Sequence, residues 1–268
     1  MRTRLAADGT LLATRHWDPA GRPRSTVVLV HGLGEHGGRY QHVGEMLAAR
    51  GHAVRATDLR GFGSSGGRRA HLRDWEHHLD DLAGDIAGAR GGGAPVTLLG
   101  HSLGGLVALS YALSDRPAPD LLVLSAPAIE NDLPRAKQVA ARILGKIAPT
   151  LAIRNGLRGD QLSRDPQVGE RYFSDPLVLQ RTTTGYGRQA LRAAARARAD
   201  TGRLRIPTLV LHGAADPIIP PRASLALVGL PGVERRDFPE FRHEIFNEEG
   251  GVAATAVVAD WIEAHLQG

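Results

Sequence analysis

The sequence predicts a mixed α/β domain: a mostly parallel central sheet flanked by helices, interrupted by an inserted helical cap. Three observations carry this. Short apolar, β-branched runs alternate with segments of helical periodicity through the first half. That rhythm stops after Ala126 and resumes near residue 204. The length of 268 residues is long for one simple domain and short for two, which suits a single core with one insertion.

The elements follow in order. "STVVLV" precedes the helix-like "HVGEMLAARG", "HAVRATD" precedes "WEHHLDDLAGDIAGAR", and "VTLLG" precedes "LVALSYAL", after which comes "DLLVLS". Strands alternating with helices imply crossover connections, and hence parallel strands buried on both faces. Residues 127–203 hold no comparable strand, only helical or irregular sequence such as "RAKQVAARILGKIAP" and "GRQALRAAARARAD". "IPTLVLHG" then restores the strand pattern, "VERRDF" supplies another strand, and "VAATAVVADWIEAHL" reads as a closing amphipathic helix. The expected organisation is core 1–126, cap 127–203 and core 204–268.

Composition narrows the functional classes. The net charge is +5, but the cations are almost all arginine and spread along an alanine- and glycine-rich chain, so a nucleic-acid partner is not expected. Arg188, Arg192 and Arg196, four residues apart, read as one solvated helix face. There is no cysteine, hence no disulfide framework and no thiolate metal site. No run has the length of a signal peptide's apolar core or of a membrane span, and the expectation is a cytoplasmic protein, peripheral to membrane at most.

"GHSLGG" at residues 100–105 is the strongest chemical signal. At this glycine and serine content, G-x-S-x-G should occur by chance roughly 0.15 times. It occurs twice, the second match being "GSSGG" with Ser65 in the serine position. A nucleophile elbow needs a buried strand that turns sharply into a helix. Ser102 has "PVTLLG" before it and "LVALSYAL" after it, whereas Ser65 lies between the turn-like "DLRGFG" and the charged "GGRRAH" and reads as a loop serine.

A serine hydroxyl needs a base to take its proton and an acid to hold that base. In the chain order Ser, acid, His, Asp216 follows the strand-like "TLVLHG", and Asp237 is a weaker rival because it falls within a predicted strand. Only two histidines follow Asp216: His265 in the terminal helix and His243 in the loop "FPEFRHEIFNEEG". The candidate triad is therefore Ser102, Asp216 and His243. The oxyanion donors would be the backbone N–H groups of Leu103, just after the serine, and of Leu33 in the glycine-rich loop after "STVVLVHG".

With those residues identified, the chain resembles the monoacylglycerol lipase and lysophospholipase-like group of the α/β-hydrolases over nearly its full length. "HGLGEHGGRY", "DLRGFGSSGGRRAH", "GHSLGG", "LSRDPQVGERYFSDPL", "HGAADPIIPP" and "RHEIFNE" match that group's motifs in order. The resemblance implies an α/β-hydrolase fold and a serine ester hydrolase, in the first place a monoacylglycerol lipase, with lysophospholipase or general carboxylesterase as alternatives. No cofactor or metal is implied, and the partner is a small lipid ester. A non-catalytic binding protein on the same fold is the alternative of another class. An epoxide hydrolase or dehalogenase would place aspartate where Ser102 stands, whereas a serine peptidase or a carbon–carbon hydrolase would share the triad.

By the same resemblance Arg39, His101 and Tyr172 match positions near the polar headgroup. Phe62 stands where the group more often has histidine, a difference of packing, and Asp58 and Arg60 read as structural, through a buried ion pair with the glycine-rich turn. In the cap, Val139, Ile143 and Ile147 recur every four residues. This stripe is expected to pack on the core, or alternatively to line an acyl tunnel through Ile143 or make transient contact with a lipid surface. A lid enclosing one chain would favour monoacyl over triacyl substrates.

Overall fold

The computed structural model describes residues 1–266. Eight strands form one sheet: β1 (Arg2–Leu5), β2 (Leu11–Trp17), β3 (Ser25–Val30), β4 (His52–Thr57), β5 (Val96–His101), β6 (Leu121–Ser125), β9 (Thr208–Gly213) and β10 (Val233–Phe238). Their spatial order is β1-β2-β4-β3-β5-β6-β9-β10. From β4 onward every pairing is parallel, while β1 and β2 are antiparallel additions at one edge. That edge hairpin was not legible in the sequence, because β1 is four residues long and largely exposed, and β2, "LLATRHW", carries an arginine and shows no apolar alternation.

The central strands are buried along their whole length, β3, β5, β6 and β9 without exception. This is why they read as continuous apolar runs and not as alternating ones. Helices α2 (Glu76–Arg90) and α3 (Leu103–Ala112) cover one face, and α1 (Gln41–Ala49) and α8 (Gly251–His265) cover the other. Each face closes its own apolar cluster, so the sheet separates two cores. Phe62 is fully buried in the first, edge-on to Tyr186 and His31, as the packing expectation required.

Between β6 and β9 the chain forms α4 (Arg135–Ile147), β7 (Ala152–Arg154), α5 (Gly159–Leu162), α6 (Pro166–Ser174), β8 (Arg181–Thr183) and α7 (Thr184–Asp200). The expectation of no strand here needs a correction, since β7 and β8 pair antiparallel. Each is only three residues long, too short to leave a periodicity. In α7 the alanines Ala193, Ala194 and Ala197 turn inward while Arg192 and Arg196 face solvent, which explains the arginine–alanine composition.

The α4 stripe is a second correction. Val139, Ile143 and Ile147 do not pack on the core; they are 52%, 56% and 73% exposed. The helix meets α7 through its small-residue side instead. A Cβ on Gly145 would lie 2.5 Å from both the Arg188 Cβ and the Thr184 carbonyl oxygen, so close contact there turns the stripe outward. No helix among the described residues is long and apolar enough to cross a membrane.

Candidate active site

Ser102 sits between β5 and α3 with φ +53° and ψ −116°, a conformation that L-residues seldom adopt. The backbone around it holds this strain. The Ser102 amide donates to the Ser125 carbonyl at 2.8 Å, and its own carbonyl accepts from Leu106 and Ala128 at 3.1 and 3.0 Å. Gly104 is required because a Cβ there would stand 2.1 Å from the Val30 oxygen, and Gly100 because one would stand 2.3 Å from the Gly104 oxygen. The glycines flanking the serine are thus demanded by close approach of α3 to the strands beneath it.

The other two triad candidates meet Ser102 at the carboxyl ends of the strands. His243 Nε2 lies 2.8 Å from Ser102 Oγ, and His243 Nδ1 lies 2.8 Å from Asp216 Oδ2. Asp216 Oδ1 accepts from the Ile218 and Ile219 amides at 2.8 and 3.0 Å, which orients the carboxylate. Burial works against ionisation of Asp216, but the charge of His243 and these hydrogen bonds outweigh it and hold the carboxyl well below its usual range. For His243, burial alone would lower the pKa; the Asp216 carboxylate outweighs burial and raises it.

The rivals lie elsewhere. Asp237 is on β10, paired with Arg235, and His265 Nδ1 bonds the Trp261 carbonyl at the end of α8. Ser65 is a buried turn residue, donating to the Asp58 carbonyl and accepting from the Ala13 amide. Asp58 and Arg60 do not share an ion pair. Asp58 binds Arg15 and the Gly37 and Ser64 amides, whereas Arg60 binds Asp81 and Asp8. Both are structural, through separate partners.

A cavity of about 370 Å³ opens over Ser102 and His243. Gly32, Leu33 and Leu103 border it, and the Leu33 and Leu103 amides donate no hydrogen bond to any described residue. Its insertion-side walls are mainly apolar, with Leu133, Ala141 and Leu144 from α4 and its approach and Ala190, Leu191 and Ala194 from α7, and with Glu130, Asn131, Arg154 and Asn155 among the polar exceptions. Such a cavity is within the range of small-ligand sites. Ile143 is not part of the lining, since Ala141 and Leu144 present the inward side of α4; the tunnel expectation for Ile143 is corrected accordingly.

His101 and Tyr172 border the cavity, but Arg39 does not. His101 packs its ring 4.9 Å from that of His243 and is lowered to about 3 by burial and by the neighbouring His243, so it stays neutral. Tyr172 donates to the Leu33 carbonyl at 3.1 Å and lies under the Arg39 guanidinium. Arg39 is clamped behind the wall by Glu35 at 2.5 Å and by both oxygens of Glu244 at 2.6 and 2.7 Å.

Sequence reasoning missed Glu35 and Glu244, which do line the cavity. Glu35 accepts from the Gly32 amide and the Tyr40 hydroxyl and thereby shapes the loop that carries Leu33. Their adjacency to "HG" and to His243 was the available signal, but nothing in the sequence pairs positions 39 and 244.

Residues 21–250 match the family model described as serine aminopeptidase, S33. The chain is 36% identical over 266 residues to the monoacylglycerol lipase of Mycolicibacterium smegmatis, covering 93% of this chain and 92% of that protein. It is 31% identical over 268 residues to the monoglyceride lipase of Homo sapiens, covering 90% and 86%. The crystal structure of Paleococcus ferrophilus monoacylglycerol lipase superposes with a TM-score of 0.86 at 34% identity, covering 95% of this chain and 99% of that one.

Proposed function

Because this chain belongs to the serine aminopeptidase S33 family and is a serine hydrolase of the α/β-hydrolase fold, we propose that it is a monoacylglycerol lipase, cleaving monoacylglycerols to fatty acid and glycerol. One observation carries the reading: an unbroken Ser102–His243–Asp216 hydrogen-bond chain at the floor of a cavity whose insertion-side walls are mainly apolar. The similarity to monoacylglycerol lipases supports it.

In this mechanism Ser102 Oγ attacks the ester carbonyl and its proton passes to His243 Nε2, while Asp216 keeps the Nδ1 proton in place. The amides of Leu33 and Leu103 stabilise the oxyanion. Collapse breaks the bond to the alcohol, which leaves with the proton from His243. Water, deprotonated by His243, then attacks the acyl-enzyme and the fatty acid departs, restoring Ser102. The acyl chain runs along Leu106, Leu133, Leu144 and Leu191, and the alcohol lies toward His101 and Tyr172. Arg39 acts as a positioning residue through Glu35 and Glu244.

The outward stripe Val139, Ile143 and Ile147, flanked by Arg135, Arg142 and Lys146, makes transient contact with a lipid surface in this reading. Turnover of mono-, di- and triacylglycerols of one chain length, with a lysophospholipid and an aminoacyl anilide beside them, tests the proposal. Monoacylglycerol should lead by a wide margin. Equal rates on mono- and triacylglycerols in comparable dispersions would sink the enclosed-chain account, and anilide turnover above ester turnover would favour a peptidase.

A further inference from the structure

Three charged side chains are buried together at the polar end of the cavity, and their sum is not zero. Glu35, Arg39 and Glu244 keep 4%, 10% and 5% of their side-chain surface exposed. Arg39 spends its guanidinium on both carboxylates and does not border the cavity, whereas the residues Glu35 and Glu244 both line it. Asn247 fixes Glu244 further through a 2.9 Å bond to Oε2, and the Glu244 amide is tied to the Leu162 carbonyl. The cluster therefore presents a net charge of about −1 to a bound alcohol, in a region where charges are weakly screened. The cation lining the cavity, Arg154, is on β7 and solvent-exposed.

We propose that Glu244, together with Glu35, makes the alcohol end of the cavity selective by charge, admitting esters of neutral alcohols and rejecting esters whose alcohol carries a negative charge. This rests on the ester-hydrolase reading above and deepens it: the substrate class becomes fatty acyl esters of neutral polyols. The physical reason is asymmetry. Hydroxyl groups can donate to the carboxylates, but an anion placed there meets repulsion and finds the nearest guanidinium already bound on its three contacts. The same charge acts on the base. His243 is faced by Asp216, Glu244, Glu35 and the neutral His101, with Arg39 behind them, and the carboxylates favour its protonated form.

The test compares three esters of one fatty acid: with glycerol, with glycerate, in which a carboxylate replaces the hydroxymethyl group, and with methyl glycerate, a neutral control of comparable bulk. In the wild-type protein the two neutral esters should have similar kcat/KM, and the glycerate ester should be slower by roughly 100-fold, chiefly through KM. Glu244→Gln brings the cluster to neutrality and should shrink that gap by roughly tenfold or more while moving the acidic limb of the pH–rate profile to lower pH.

A double variant, Arg39→Met with Glu244→Gln, removes cation and anion together and leaves the net charge of Glu35; it should keep the gap although the ion pair is gone. Glu249→Gln, on the exposed neighbouring loop, should change nothing. Equal turnover of glycerol and glycerate esters by the wild type overturns the proposal, as does a gap unaltered in folded Glu244→Gln or lost in the double variant. If Glu244→Gln does not fold, the wild-type comparison and the double variant still decide. Absence of acylglycerol turnover alongside turnover of another ester class would overturn the lipase reading alone, and the charge ranking would then be read on anionic and neutral alcohols of that class.

Discussion

Gly104→Ala is the substitution whose effect the geometry specifies most closely. The added Cβ would stand 2.1 Å from the Val30 oxygen, 2.5 Å from the His31 oxygen and 2.6 Å from the Val30 carbonyl carbon. All three are backbone atoms, so no rotamer change can relieve the overlap. An unstrained C···O contact is about 3.3 Å, so a shift of roughly 1 Å is required. The sheet cannot supply it, because Val30 pairs with Gly100 of β5 and β3 is buried throughout. The helix α3 must lift instead, carrying Ser102 and the Leu103 amide with it.

Overpacking of this kind costs about 3 kcal/mol, which at about 2–4 °C per kcal/mol lowers Tm by roughly 6–12 °C. A 1 Å displacement of Ser102, the proposed nucleophile, should reduce kcat/KM by about 100-fold. The matched control is Gly88→Ala in α2, where a Cβ meets nothing within 4 Å. There the same methyl group removes a helix-interior glycine and should raise Tm by roughly 2–4 °C, from about 1 kcal/mol of helix propensity. Thermal unfolding by circular dichroism and ester hydrolysis read both variants. A Gly104→Ala protein that melts with the wild type and keeps its activity would refute the close-approach argument, as would shifts of the same sign in both variants.

Other outcomes follow from the site and its surroundings. Ser102→Ala should abolish labelling by a fluorophosphonate and leave the fold intact, whereas Ser65→Ala should keep labelling but cost about 1–3 kcal/mol, because the Ala13 amide loses its buried acceptor. In the proposed mechanism hydrolysis requires neutral His243, whose pKa is raised above the usual 6.5, so kcat/KM should climb with pH through a midpoint above that value. Asp216→Asn should move the midpoint down and lower the rate by about 10⁴-fold; an unmoved midpoint would remove Asp216 from the mechanism. His31, His78 and His101 are fully buried with lowered pKa values, about 3 for the last two. Their neutral forms contribute stability that is fully present above 6.5 and is lost as pH falls, at about 1.4 kcal/mol per pH unit for each of His78 and His101. Chemical denaturation should therefore show stability dropping steeply from pH 6.5 to 4.5, and a flat profile would contradict the burial of these rings. Ile143→Asp should remain folded, given its exposure, and lose activity on vesicle-bound monoacylglycerol while keeping it on a short soluble ester.

The sequence alone determined the layered α/β core, because strands buried on both faces must be written as continuous apolar runs, and "STVVLV", "VTLLG" and "DLLVLS" are such runs. It also singled out Ser102, Asp216 and His243, since a strained elbow demands small flanking residues and the acid and base must follow strands in chain order. The strands β1, β7 and β8 escaped it because three or four residues carry no measurable period, and β2 because its seven residues show a buried run followed by half-buried positions and no alternation.

Only the tertiary structure decided which way the α4 stripe faces. Periodicity shows that a helix has an apolar side but not what lies opposite, and here Gly145 draws the other side onto α7. The same holds for Glu35, Arg39 and Glu244. Arg39 and Glu244 are 205 positions apart in the chain, and no local rule links them. The charge they set beside His243 arises because folding brings the loop after β3 against the loop that carries the histidine, in a low-dielectric space where a single unbalanced carboxylate counts.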